Sequence, residues 1–196
     1  MKICQPVAGT RRALLIIDVQ PATITGVAAR TVVHNIERYI AVATYDAYVI
    51  ATFSAPEDSM FGRQLKWTLS AEAAGPTAPA IVDAVQARGR PFMEMVKTLR
   101  SVLKGTGEGD VQAFLDRHEI DEVHLVGFDI NDCVLATAYD ALDHGYFTFV
   151  IEECASRTDS DRVMIEAALA VLRKQRMTNT SALFPVNLIE IGTADA

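Results

Sequence analysis

The chain has 196 residues, a net charge of −7 at pH 7 and a pI near 5.1; 50% of its residues are hydrophobic and 22% charged. This is the balance of a soluble globular domain with enough chain to bury a sizeable core. No basic cluster exceeds Arg173-Lys174-Gln175-Arg176, so the basic face of a nucleic-acid binder is excluded, and no apolar run approaches the roughly 20 residues that span a bilayer. Three cysteines, Cys4, Cys133 and Cys154, form neither a disulfide framework nor a Cys-x-x-Cys zinc knuckle, and point to a reducing cytoplasm. The first dozen residues lack the apolar core of a signal peptide. The expectation is one soluble domain over residues 1–196.

Residues 13–19, Ala-Leu-Leu-Ile-Ile-Asp-Val, read as a strand buried on both faces, with Asp18 near its end and Pro21 helping to close it. Residues 29–44 carry Val32, Val33, Ile36, Ile40 and Val42 at helical spacing. A second strand follows at 48–53. Residues 54–79 are rich in Pro, Gly, Ser and Ala, include the sole tryptophan, Trp67, and are expected to form an irregular lid or substrate loop. A short helix over 80–88 ends at Gly89, and a third strand, 92–96, delivers Lys97 at its end. After a turn holding Gly105, Gly107 and Gly109, Asp110 opens a helix to about His118.

Val123 to Phe128 form a fourth, buried strand interrupted by Gly127. Cys133 then begins a helix with Leu135, Tyr139 and Leu142 on one face, which stops at Gly145. Asn131 or Asp132 is placed to cap its first turn. A fifth strand spans 146–151, Thr158-Asp-Ser-Asp caps a long helix to about Arg176, and 187–191 supply a last short element. Strands alternating with helices predict an α/β class, a three-layer Rossmann-like fold whose mostly parallel central sheet is flanked by helices.

Asp18, Lys97 and Cys133 thus fall at the carboxyl ends of three strands, the edge of a parallel sheet where ligands bind. A thiol at a helix amino-terminus beside an ammonium is expected to be drawn toward thiolate, to a pKa of roughly 3.5–7.5. Asp18 is placed to take the thiol proton and pass it to a leaving amine. Taken singly, each residue has a blander reading: Cys133 a buried structural thiol, Asp18 a magnesium ligand, Lys97 a solvated cation. Cys4 and Cys154 read as inert, and His34, His118, His124 and His144 as surface or core residues. Trp67 reads equally as pocket wall or core plug.

LLIIDVQP, the lysine of MVKTLRSVLKGT, and LVGFDINDCVLATAYDALDHGY occur in this order, and together they resemble the isochorismatase-like cysteine hydrolases, which include nicotinamidases and carbamoyl-amino-acid amidohydrolases. The resemblance runs from about Ala13 to Thr158. It implies a catalytic triad of Asp18, Lys97 and Cys133, a cis peptide between Phe128 and Asp129, and an oxyanion hole from the amides of Asp129 and Cys133. Gln20, Phe53, Trp67 and Phe128 are the candidate substrate contacts. The resemblance also suggests a homo-oligomer acting on a small-molecule amide or ureido compound without a cofactor.

Nicotinamidases of the family carry a metal-binding Asp-x-His after the second strand; here that region reads ATFSAPEDSMF, with no histidine between His34 and His118. This departure argues against a metal site and against nicotinamidase activity. Members that cleave an enol ether can lack the cysteine, so Cys133 favours carbon–nitrogen hydrolysis. The alternatives are an isochorismatase-type enol-ether hydrolase and a catalytically silent binding or redox-sensing protein. The family's usual Asp two before the cysteine is Asn131 here.

Overall fold

Every residue from Arg12 to Ile17 is buried, because this strand is covered on both faces. The computed structural model describes residues 2–3, 9–105, 109–179 and 189–190; Cys4 and Gly107 lie outside them. In chain order the strands are β1 (Lys2–Ile3), β2 (Arg12–Ile17), β3 (Ala47–Phe53), β4 (Phe92–Lys97), β5 (Glu122–Gly127), β6 (Phe147–Ala155) and β7 (Ile189–Glu190). The helices are α1 (Val27–Val42), α2 (Ala71–Ala74), α3 (Pro79–Gln86), α4 (Val111–Arg117), α5 (Cys133–Asp143) and α6 (Arg162–Lys174). Five strands form an all-parallel sheet in the order β4-β3-β2-β5-β6, and β1 pairs antiparallel with β7 in a separate ribbon.

Alternation along β2 builds the three layers. Leu14 and Ile16 pack with Ile36, Ile40, Ile81 and Val85 of α1 and α3. Leu15 and Ile17 point the other way, toward Leu115, Val134, Ala138 and Leu172 of α4, α5 and α6. The chain winds from β2 out to β4 and then returns to place β5 on the opposite flank of β2. The carboxyl ends of β2 and β5 therefore meet at the topological switch point, where open α/β sheets form their crevice.

The contact between those two strands depends on Gly127. Its φ is +115°, and a Cβ there would stand 2.0 Å from the Ile17 carbonyl oxygen, so only glycine fits. Phe128 N–H donates to that same carbonyl at 2.9 Å, which brings the segment after β5 against the end of β2.

Some local expectations are corrected. Residues 54–79 are not wholly irregular: they contain a π-helical turn at Phe61–Leu65 and the short α2. Asp132 occupies the N-cap position of α5 without making a side-chain cap; its carboxylate is ion-paired with Arg100, and the Asn131 amide oxygen accepts from Arg157 at 2.9 Å. The face that α5 buries carries Val134, Ala138 and Ala141, whose small side chains allow close approach to the sheet, whereas Leu142 is exposed. Strand β6 runs on to Ala155 and includes Cys154, which is fully buried on the α1 side.

Candidate active site

Three elements carry the reactive side chains to one point. Asp18 follows β2 with φ +54°, a left-handed conformation that bends the chain off the strand at once. Its carbonyl accepts from the Thr23 hydroxyl at 2.5 Å, and its N–H donates to the Ala51 carbonyl at 2.8 Å. Lys97 is the last residue of β4 and pairs in register with Phe53 of β3. Cys133 is the first residue of α5.

The Lys97 ammonium donates to Asp18 Oδ2 at 2.7 Å and to Cys133 Sγ at 3.2 Å, and it lies 4.6 Å from the centroid of the Phe53 ring. All three side chains are buried. Among the described residues Asp18 Oδ1 has no hydrogen-bond partner, so it is available as a proton acceptor.

Burial sets the protonation state. It raises the Cys133 thiol well above its ordinary value, and the Asp18 charge raises it further, while Lys97 pulls it down. Burial likewise raises the Asp18 carboxyl, against the lowering effect of Lys97. A thiol depressed toward neutral pH, as its place at the mouth of a helix suggests, is therefore not what this environment produces. One ammonium faces two groups that compete for it, and removing an anion from water costs more than the helix end returns. The direction of its shift favours thiol over thiolate.

Cys133 and Asp18 open into a cavity of about 530 Å³. One wall is apolar, with Phe53, Phe61, Leu65, Trp67 and Leu69; the other is polar, with Asp129, Asp132, Arg157, Thr158 and Asp159. Trp67 stacks on Phe53 at 5.8 Å between centroids with an interplanar angle of 9°, and Phe61 meets both rings edge-on or nearly so. The peptide between Phe128 and Asp129 is cis.

A model of the isochorismatase domain matches residues 12–182. The chain belongs to the isochorismatase family. Its fold is that of a pyrazinamidase/nicotinamidase from Streptococcus mutans, at 22% identity and a TM-score of 0.67 over 84% of this chain and 96% of that one. An isochorismatase-like hydrolase from Alkaliphilus metalliredigens is similar at 19% identity and TM-score 0.64, over 86% and 92% of the two chains. The pyrazinamidase of Pyrococcus horikoshii, in complex with zinc, matches at 19% identity and TM-score 0.58, over 86% and 97%.

Among the described residues no group of three or more His, Cys, Asp or Glu is placed to hold a metal, and no histidine lines the cavity. Asp58 is exposed and lies outside the lining. Asp18, Asp132 and Asp159 are each paired with a basic side chain.

The candidate substrate contacts divide. Phe53 and Trp67 line the cavity with their rings. Gln20 also lines it, but its amide is held by the Phe53 backbone, donating to the carbonyl at 2.9 Å and accepting from the N–H at 2.7 Å. Phe128 is fully buried in the core on the α1 side and is not part of the lining. Sequence reading gave Asp132, Thr158 and Asp159 only helix-capping roles and passed over Arg157. The dense run Arg157-Thr158-Asp159 just beyond β6 was the one available signal, since its strand ends on the same edge as the other three.

Proposed function

We propose that this chain is a cysteine hydrolase that cleaves a carbon–nitrogen bond of a small amide or ureido compound through a thioester. The observation that supports the reading best is the single ammonium of Lys97 touching both Asp18 Oδ2 and Cys133 Sγ at the floor of the cavity. Asp18 takes the Cys133 proton as the sulfur attacks the carbonyl carbon, so thiolate forms only as its bond to carbon forms. Lys97 holds net charge low by facing whichever of the two groups is anionic. The amides of Asp129 and Cys133 receive the developing oxyanion; that of Cys133 lies in the first helical turn, where N–H groups have no partner within the helix. When the intermediate collapses, the carbon–nitrogen bond breaks and Asp18 returns its proton to the departing nitrogen. Water then adds to the thioester with its proton passing to Asp18, and the carbon–sulfur bond breaks as sulfur regains a proton.

No cofactor enters these steps. We read the protein as a single domain of a reducing cytoplasm that assembles with copies of itself. Phe92 and Val96 are exposed along the edge strand β4, an edge that a second copy would cover. No helix among the described residues is long and apolar enough to cross a membrane.

The test is a panel of primary amides and ureido compounds scored by ammonia release, with rapid acid quench and mass spectrometry of the Cys133 peptide. An acyl adduct on Cys133 that turns over, and loss of ammonia release in Cys133→Ala, are the expected results. Turnover of an enol ether that survives Cys133→Ala would instead establish the enol-ether reading, and a Cys133 that oxidises but never acylates would establish a sensor.

A further inference from the structure

Each of three cations around the cavity is matched to a carboxylate. Lys97 holds Asp18 at 2.7 Å. Arg157 grips Asp159 with two nitrogens, Nε to Oδ1 at 2.7 Å and Nη2 to Oδ2 at 2.5 Å. Arg100, which stands behind the lining, is ion-paired with Asp132. That leaves Asp129, whose carboxylate accepts from two neutral donors, the N–H and hydroxyl of Thr158, at 2.6 and 2.8 Å. Three cations therefore face four carboxylates, and the Arg157 guanidinium feels the charge of Asp129 as well as that of Asp159.

We propose that this cavity selects uncharged amides and rejects compounds bearing a carboxylate, ureido acids and carbamoyl amino acids among them. The inference rests on the hydrolase reading above and narrows its substrate class. An incoming carboxylate has two places to go. It can displace Asp159 from the Arg157 fork, which only trades one bidentate pair for another and gains no charge pairing. Or it can lie unpaired beside the half-buried Asp129, where like charges repel. An uncharged acyl group meets neither obstacle and buries its apolar surface against Phe53, Phe61 and Trp67.

Matched probes that differ by one charge test this: benzamide against 4-carbamoylbenzoate, and N-carbamoylglycinamide against N-carbamoylglycine. Binding to Cys133→Ala is measured by calorimetry, and turnover of the wild type by ammonia release. The neutral member of each pair is expected to bind about tenfold more tightly at low salt, and added salt to narrow the gap by screening. Asp159→Asn keeps the oxygen that accepts from Asp161 N–H but unpairs the Arg157 charge. It should shift the ratio threefold or more toward the carboxylate member. Equal or tighter binding of the carboxylates, or no binding of either member, overturns the proposal. Selective binding without turnover would leave the charge preference standing and instead defeat the hydrolase reading.

Discussion

The ammonium of Lys97 lies over the ring of Phe53, 4.6 Å from its centroid. The two residues are register partners on β4 and β3, and β3 separates β4 from β2, so Lys97 starts two strands away from Asp18. Neighbouring strands lie about 4.8 Å apart, and a lysine side chain crossing the end of β3 spans that gap only by passing over the residue there. Phe53 is thus a guide for the lysine as well as a wall of the cavity, and its ring face favours the cation.

Removing either partner of the buried pair should alter Cys133 in opposite directions. Lys97→Ala deletes the group that lowers the thiol pKa, so iodoacetamide labelling of Cys133 at mildly alkaline pH is expected to slow. Asp18→Asn deletes the largest charge that raises it, and labelling should quicken. Both variants should lose turnover. Breaking a buried pair costs about 3–5 kcal/mol, so a folding control is needed. Cys154 supplies it: the residue is fully buried and its thiol is also pushed up by burial, and it should stay unlabelled in any folded variant. Equal labelling of the two cysteines, indifferent to Lys97→Ala, would remove the ammonium from the chemistry.

The pH profile follows from the same two shifts. As the proposed base, Asp18 must be ionised to accept the proton, and its pKa is raised above the ordinary 3.8. As pH falls through that raised value the base is lost, so the acidic limb of kcat/KM lies above 3.8. Cys133 is raised above the ordinary 9.0 and keeps its proton there, so activity should hold through pH 9 and fall only beyond it. The two limbs belong to the coupled pair rather than to either residue alone. A decline in kcat/KM between pH 7 and 9 in the wild type would contradict the protonated resting thiol.

Arg100 ties the aromatic wall to the start of α5. Its guanidinium lies 4.6 Å from the Phe61 centroid and is ion-paired with Asp132, one residue before Cys133. Arg100→Ala should free Phe61, so the emission of Trp67 is expected to shift to the red and its quenching by acrylamide to rise. KM should increase about two- to fivefold, the scale of one half-exposed pair with a cation–π contact, while kcat changes little. High salt should reproduce part of the effect in the wild type, because both partners are half-exposed. Unchanged Trp67 fluorescence in the variant would show that the wall stands without the arginine.

The alternation of apolar strands with amphipathic helices was legible in the sequence, because burial on both faces leaves a continuous apolar run such as Ala13–Ile17, and helical spacing marks α1. The convergence of Asp18, Lys97 and Cys133 was legible too, since a parallel sheet places all its strand ends on one edge. What only the tertiary structure decided is the state of those groups. Position at a helix mouth argued for a thiolate, but burial and the Asp18 charge raise the Cys133 thiol against the pull of Lys97. The same holds for the pairing of Arg100 with Asp132 and of Arg157 with Asp159 and Asn131, which draws Asp132 and Asn131 away from the cap they were placed to make. Local sequence sets which donors and acceptors a turn offers; the charges that arrive from distant segments set which of them are used.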